Sequence, residues 1–297
     1  MMQVTVLAPA KVNLHLEVKD RRPDGFHNLE SIFLALDFGD ILHFEPVSES
    51  NTVEIVMEWP GFHGKKQNFI PLEGNIIYKA LTLFRDKTCF YQGFRIKVEK
   101  HVPMGGGLGG GSSDAAAALL TLNEIAGRPL NRNTLLDLAA LLGSDVPFFI
   151  HETPAALITG RGELIKPIEA PCLFFVLVNP GFPSDTATAF MLLDKYRKSE
   201  KFNARPPTSS YIISNFSFFN DFLPVFEERE KTVYNEIISQ LQELGAVYAS
   251  LSGAGSTCFG VFENLDIAQK AAAALQSKWE FVKCCRIADA AQYPQRT

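Results

Sequence analysis

Apolar residues alternate or run continuously over Val4 to Leu7, Val12 to Val18, Ile32 to Phe38 and Ile41 to Phe44, with Gly39-Asp40 separating the last two. Such spacing sets side chains on the faces of strands, so the chain is expected to open β-rich. From Asn75 to Phe84 the period lengthens: Ile76, Ile77, Ala80, Leu81 and Phe84 fall on one side of a helix. Phe94 to Val98 returns to alternation, apolar against charged, as a half-buried strand leading to Pro103. A helix is expected from Ser112 through Ala115, Leu119, Leu122 and Ile125 to a stop at Gly127. Another spans Thr134 to Leu142, capped by Asn133 and closed by Gly143.

After Gly160 the pattern restarts with an apolar strand, Leu173 to Val178, closed by Asn179-Pro180-Gly181. Lys195 to Asn220 holds Pro206-Pro207 and many Ser and Asn, the composition of a surface excursion. Thr232 to Leu244 and Leu265 to Gln276 read as helices bracketing a strand, Thr257 to Phe262. No internal repeat is visible. With ~150 residues per domain as a prior, 297 residues suggest about two domains. The boundary is expected near residues 152 to 165, which gives domains of 1–155 and 156–297.

Composition narrows the function classes. Hydrophobic residues at 46% and charged residues at 21% belong to a globular chain. The net charge of -5 argues against a general binder of nucleic-acid backbone and leaves room for a local anion pocket. Five cysteines, odd in number and without a CxxC pair, suggest neither a disulfide framework nor a zinc cluster. No HxxxH and no carboxylate cluster at ligand spacing is present, so no intrinsic metal site is expected. The N-terminus lacks a signal-peptide pattern and a reducing cytoplasm is the expected setting. The uncharged run from Leu244 to Phe262 is interrupted by Ser250, Ser252, Ser256, Thr257 and four glycines, and is expected to be loop and buried strand rather than a bilayer span.

The concentrated signal is Pro103-Met104-Gly105-Gly106-Gly107-Leu108-Gly109-Gly110-Gly111-Ser112-Ser113-Asp114, which places six of the 21 glycines between an expected strand and an expected helix. Glycines admit positive φ and close backbone approach, and the following helix start offers unpaired N–H groups, so a phosphate chain is the natural ligand. No Gly-Lys-Ser/Thr follows, which excludes a Walker A loop, and no dinucleotide fingerprint is formed. The plain alternative is a flexible linker, which the tight junction to a strongly helical run opposes. Ser112 and Ser113 also serve as N-cap candidates. A second glycine turn, Leu251 to Thr257, precedes a strand; alone it reads equally as a tight turn with no ligand, and beside the first loop it is expected to pack under or against it.

Phosphate transfer to an alcohol needs a carboxylate for the hydroxyl proton and a cation to balance charge. Asp145, in Gly143-Ser144-Asp145-Val146-Pro147, is a lone carboxylate in an apolar stretch, with an N-cap before Pro147 as its plainer reading. Lys11, in Pro9-Ala10-Lys11-Val12-Asn13-Leu14, is an isolated cation at a strand start, or else an edge lysine on the wet face. Phe26-His27 follows the turn signal Arg22-Pro23-Asp24-Gly25, where an aromatic and an imidazole could stack on and hydrogen-bond a base, although lone histidines are more often plain surface or core residues.

Taken together, Pro103 to Ala117 resembles the phosphate-binding signature of the GHMP kinase superfamily, and Ser252 to Thr257 its third motif. Pro9 to Leu14, Arg22 to His27, Gly107 to Ser113 and Gly143 to Pro147 are similar to the branch of it whose acceptor carries a cytidyl diphosphate. The resemblance implies a two-domain α/β (α+β) fold: an N-terminal nucleotide domain with a left-handed βαβ unit, a C-terminal α+β domain, and the active site in the cleft between them. It implies ATP-dependent phosphorylation of the 2-hydroxyl of cytidyl-diphosphate-linked methylerythritol in the non-mevalonate route to isoprenoid precursors, with Mg²⁺ arriving on the nucleotide. A mevalonate-type or homoserine-type kinase is the alternative.

By the same resemblance Asp145 is the general base and Lys11 the cation beside it. ATP falls to Pro103, Gly105, Gly106, Gly107, Leu108, Gly109, Gly110, Gly111, Ser112 and Ser113, with Lys100 and Asn75 near the adenine. The acceptor falls to Asn13, Phe26, His27, Thr186, Phe190, Gly253 and Gly255. Asp114 stands where some members carry Asn, with no functional difference attached. The expected partner is the small molecule alone, without nucleic acid or membrane, on a monomer or weak homodimer.

Overall fold

The computed structural model describes residues 3–60, 70–199 and 218–289. Where the pattern predicts four short strands, the chain forms two long ones, β1 (Val4–Arg21) and β2 (His27–Val47), paired antiparallel along their length. Register shifts between Pro9 and Lys11, and between Asn13 and His15, absorb the irregularities. Gly39-Asp40 therefore lies inside β2, opposite Pro9 and Ala8. Bulges of this kind bend a strand and re-aim its side chains without ending it.

β2 is central to the first sheet. Its second half also pairs with β4 (Gly93–Glu99), and β4 pairs in parallel with β3 (Val53–Glu58). Its first half pairs with β5 (Ala155–Thr159), and β5 with β6 (Leu164–Pro167). A division at 155/156 would fall within β5 and separate it and β6 from the rest of this sheet; the chain changes sheets between Pro167 and Phe174. α1 (Ile76–Thr88) connects β3 to β4 as a βαβ unit, and α2 (Gly110–Ile125), α3 (Arg132–Leu142) and α4 (Val146–Ile150) follow.

The second sheet is antiparallel in the order β10-β7-β9-β8, built from β7 (Phe174–Asn179), β8 (Tyr248–Leu251), β9 (Cys258–Phe262) and β10 (Phe281–Arg286). The two-residue period decides how the layers stack. On β2, Phe33 and Ala35 face the core shared with α1 to α4, whereas Ile32, Leu34 and Leu36 face Phe175, Leu177, Phe259 and Val261 of the second sheet. On β7, Val176 and Val178 face the opposite way, onto Tyr234, Ile237 and Leu241 of α6 (Glu228–Glu243) and Ala268 and Ala272 of α7 (Leu265–Leu275). The result is four layers: helices, sheet, sheet, helices. A further helix, α5 (Thr186–Arg197), packs Ala189 and Leu193 against Leu16 and Val18 of β1 and Phe222.

Much of the expected excursion from Lys195 to Asn220 lies outside the described residues; its described ends are the last residues of α5 and Phe218 to Asn220. Two expected caps are displaced. α2 starts at Gly110 with Gly109 as its N-cap, not at Ser112. Asn131 rather than Asn133 caps α3, its Oδ1 accepting the Thr134 N–H at 2.9 Å. Asn131→Ala should therefore lower unfolding stability by about 1 kcal/mol, and Asn133→Ala should leave it unchanged or slightly raised. Urea melts of the two variants check this, and equal losses would contradict the assignment.

Candidate active site

The glycine loop occupies the junction of β4 and α2, where the chain must reverse beside the central strand pair. Gly105, Gly107 and Gly109 all have positive φ. Gly107 is the position where no other residue fits: its φ is +75° and a Cβ there would lie 2.0 Å from the Ser252 carbonyl oxygen. The first helical hydrogen bond of α2 runs from Ser113 N to Gly109 O at 2.9 Å. The N–H groups of Gly110, Gly111 and Ser112 thus have no acceptor within the helix, and with the helix dipole they form an anion cradle.

The loop is anchored through four successive carbonyls. Gly105 O accepts from Ser184 N (2.9 Å), Gly106 O from Thr257 N (3.1 Å), Gly107 O from Ser252 Oγ (2.9 Å) and Leu108 O from Lys11 N (2.9 Å). The second glycine turn is thereby the first one's support. Ser252 Oγ also accepts the Asn13 N–H at 3.3 Å. Asn179, read from sequence only as part of a closing turn, holds that support together: its Nδ2 donates to Ser256 Oγ at 3.1 Å and Thr257 Oγ1 at 3.0 Å. A buried Asn ending an apolar strand was the available signal for it.

Lys11 is not an edge lysine. It is 4% exposed, and the bulge after Pro9 turns it into the interior. Its Nζ donates to Asn13 Oδ1 at 2.6 Å, lies 3.3 Å from Asp145 Oδ2, and sits 4.4 Å above the Phe33 ring. Asn13 is fixed in turn, its Nδ2 donating to Ser31 Oγ at 3.0 Å. A buried ammonium needs such compensation. Asp145 stands at the N-cap position of α4 but makes no side-chain capping bond. With its side chain 32% exposed, it presents a carboxylate to the cleft.

Lys11, Asp145 and the loop from Pro103 to Ser112 line one cleft of about 540 Å³. Asn13, Asn75, Lys100, Thr186, Phe190 and Gly253 line it too. Four expected site residues do not. Ser113 is buried beneath the loop, Gly255 lies behind Gly253, Phe26 is 56% exposed at the β1–β2 turn with Arg161 over its ring, and His27 stands behind Phe190. The His27 ring stacks on Phe190 (5.3 Å, 17°) and its Nε2 lies 2.9 Å from Asp194 Oδ1, so it meets the cleft through its neighbour. Asn75 spends its Oδ1 capping α1 by accepting the Ile77 N–H. Phe33, Phe222, Leu16 and Ala254 are also part of the lining, and nothing local in the sequence distinguishes them from core residues.

Lys100 differs most from expectation, because its ammonium is not free. It is held by Asp40 and by Asp114, the latter at 2.6 Å. Burial pulls the Lys100 pKa down, but the charges and hydrogen bonds of the two carboxylates outweigh it and leave it above its ordinary value. Asp114 is pushed up to about 7, chiefly by burial with the Asp40 charge adding, against the opposing pull of Lys100.

The matches to known proteins agree with this geometry. The model of the GHMP kinases N terminal domain matches residues 75–153 and that of the GHMP kinases C terminal matches residues 215–280. A 4-diphosphocytidyl-2-C-methyl-D-erythritol kinase of Burkholderia pseudomallei is 34% identical over 283 residues, covering 92% of this chain and 90% of the relative. The chain belongs to the 4-diphosphocytidyl-2-C-methyl-D-erythritol kinase family of GHMP kinases. A crystal structure of a 4-(cytidine 5'-diphospho)-2C-methyl-D-erythritol kinase superposes with a TM-score of 0.77 at 32% identity, over 96% of this chain and 100% of that one. The homoserine kinase of Cytophaga hutchinsonii, at 16% identity and a TM-score of 0.68 over 96% and 95% of the two chains, shares the fold. As a GHMP kinase this is an ATP-using small-molecule kinase with the two-domain fold of that family. Among the described residues no helix is long and apolar enough to cross a membrane, and no group of three or more His, Cys, Asp or Glu could hold a metal ion.

Proposed function

We propose that the protein transfers the γ-phosphoryl group of ATP to the 2-hydroxyl of 4-diphosphocytidyl-2-C-methyl-D-erythritol, in the non-mevalonate route to isoprenoid precursors. The observation that carries this reading is that the Lys11–Asp145 pair and the glycine-loop amides line the same cleft. Asp145 orients the acceptor hydroxyl and takes its proton. Lys11 balances the Asp145 charge and, through Asn13, keeps the carboxylate in place. The amides of Gly110, Gly111 and Ser112 bear the phosphate charge as it shifts toward the bridging oxygen. Transfer is direct and in line, with no phosphorylated side chain. The nucleotide enters as its Mg²⁺ complex, a substrate rather than a resident metal. Thr186, Phe190 and Gly253, which line the same cleft, take the acceptor.

On this reading the protein works in the cytoplasm as a monomer or weak homodimer whose partner is the small molecule. The test is ADP release with three acceptors: the cytidyl substrate, mevalonate and homoserine. Turnover is expected with the first alone. Comparable turnover of mevalonate or homoserine would overturn the acceptor assignment.

A further inference from the structure

The cluster of Asp40, Lys100 and Asp114 is used by neither the transfer chemistry nor the loop's carbonyl anchors. Its three members come from three places in the chain: Asp40 from β2, Lys100 from the residue after β4, Asp114 from the first turns of α2. All three are buried, and Lys100 and Asp114 border the cleft on either side of the glycine loop. Donors are shared unequally. Asp40 accepts from Lys100 Nζ and from the N–H groups of His101 (2.6 Å) and Val102 (2.8 Å). Asp114 accepts from Lys100 through Oδ2, its carboxyl group lies within hydrogen-bond reach of that of Asp40, and its Oδ1 is buried with no hydrogen-bond partner.

Two carboxylates on one ammonium leave an excess negative charge in a buried site, directly beneath amides that are built to hold anions. The other elements packed on α2 do not compensate it. α1, α3 and α4 turn apolar faces to the helix, including Ile77, Leu81, Leu135 and Phe148. From β1, the Lys11 ammonium is turned to Asn13 and Asp145. The charges bearing on Asp114 are therefore those of Lys100 and Asp40.

We propose that Asp114 is a positioning residue of the nucleotide site whose carboxylate takes up a proton from solvent when a nucleoside triphosphate occupies the glycine loop. This rests on the ATP-site reading above. The balance is simple: the anion arrives, Asp114 Oδ1 gains one proton, and the cluster passes from one excess negative charge to neutrality while the Lys100 ion pair with Asp40 persists. Like charge brought close in a low-dielectric site favours the protonated acid. Burial and the neighbouring Asp40 charge already hold the Asp114 carboxyl well above the ordinary carboxylate range, which brings the linkage toward the working pH range. Nucleotide affinity then falls as pH rises above the free-state titration, by up to about tenfold per pH unit. The neutral amide of Asp114→Asn keeps the shape, removes the charge, and abolishes this slope.

Titration calorimetry with MgATP at pH 7.5, in two buffers of different ionisation enthalpy, counts the protons taken up. Wild type is expected to take up a fraction approaching one proton per nucleotide more than Asp114→Asn, and the variant should bind more tightly than wild type at pH 9. Equal proton counts in the two proteins overturn the proposal. Absence of binding heat in wild type would instead remove the ATP-site reading, and the inference with it. Should Asp114→Asn fail to fold, the infrared difference spectrum of wild type, nucleotide-bound minus free, decides. A carboxylic-acid carbonyl band that appears on binding supports the proposal, and a spectrum without one overturns it.

Discussion

Asp145→Asn is expected to lower kcat by about 10²- to 10⁴-fold, the usual worth of a positioned general base, while ATP affinity stays within a few-fold of wild type. The separation follows from where the side chain sits. Asp145 touches the Lys11 ammonium across 3.3 Å and makes no capping bond to α4, so the isosteric amide disturbs neither the helix nor the loop. The loss then falls on the transition state, where the departing hydroxyl proton has no acceptor. Lys11 remains held by Asn13 Oδ1, which keeps the buried ammonium compensated in the variant. Single-turnover rates together with nucleotide titration check both halves. A variant that turns over at the wild-type rate would strip Asp145 of its role.

Gly107→Ala is the second large effect, and it acts through the fold rather than the chemistry. The added Cβ would stand 2.0 Å from Ser252 O and 2.9 Å from Gly255 O, both backbone atoms that cannot swing aside, at a φ of +75°. Either the loop leaves its left-handed conformation or the two glycine turns part, at a cost of about 1 to 3 kcal/mol. Parting them breaks the bond from Ser252 Oγ to Gly107 O and displaces the amides that follow, so the KM for ATP should rise ~10-fold or more, because misplaced donors lose the charge-assisted bonds they were set to make. Gly111→Ala is the control for stability. Nothing lies within 4 Å of its added Cβ, and in the first turn of α2 alanine should hold or raise the melting temperature. Equal melting temperatures for the two variants would contradict the account.

The glycine loop was legible in the sequence because its requirement is local: positive φ and close approach admit one residue type, and a strand and a helix flank it. The apolar face of α1 and the strand β7 were legible for a similar reason, since their periods are written in a few adjacent residues. Pairing was not. β1 and β2 read as four pieces because bulges at Pro9 and Asn13 interrupt alternation without interrupting the strand. β6 is four residues long and ends at a proline, and β3 is six residues long with Glu54 and Glu58 among them, so neither stands out as part of a sheet. The partners of Lys100 were hidden most deeply. Asp40 lies 60 residues away and meets it only because β2 and β4 are neighbours. Asp145 and Lys11 could be named separately from the motifs around them, but their contact depends on the bulge that turns Lys11 inward.

The four carbonyl anchors of the loop have one mechanical consequence. Donors from β1, from the segment before α5 and from the turn before β9 all converge on Gly105 to Leu108, so the two sheets are riveted together at the phosphate end of the cleft. A second tie lies at the β1–β2 turn, where His27 meets Asp194 of α5, so the chain on both sides of β1 is held to the C-terminal half.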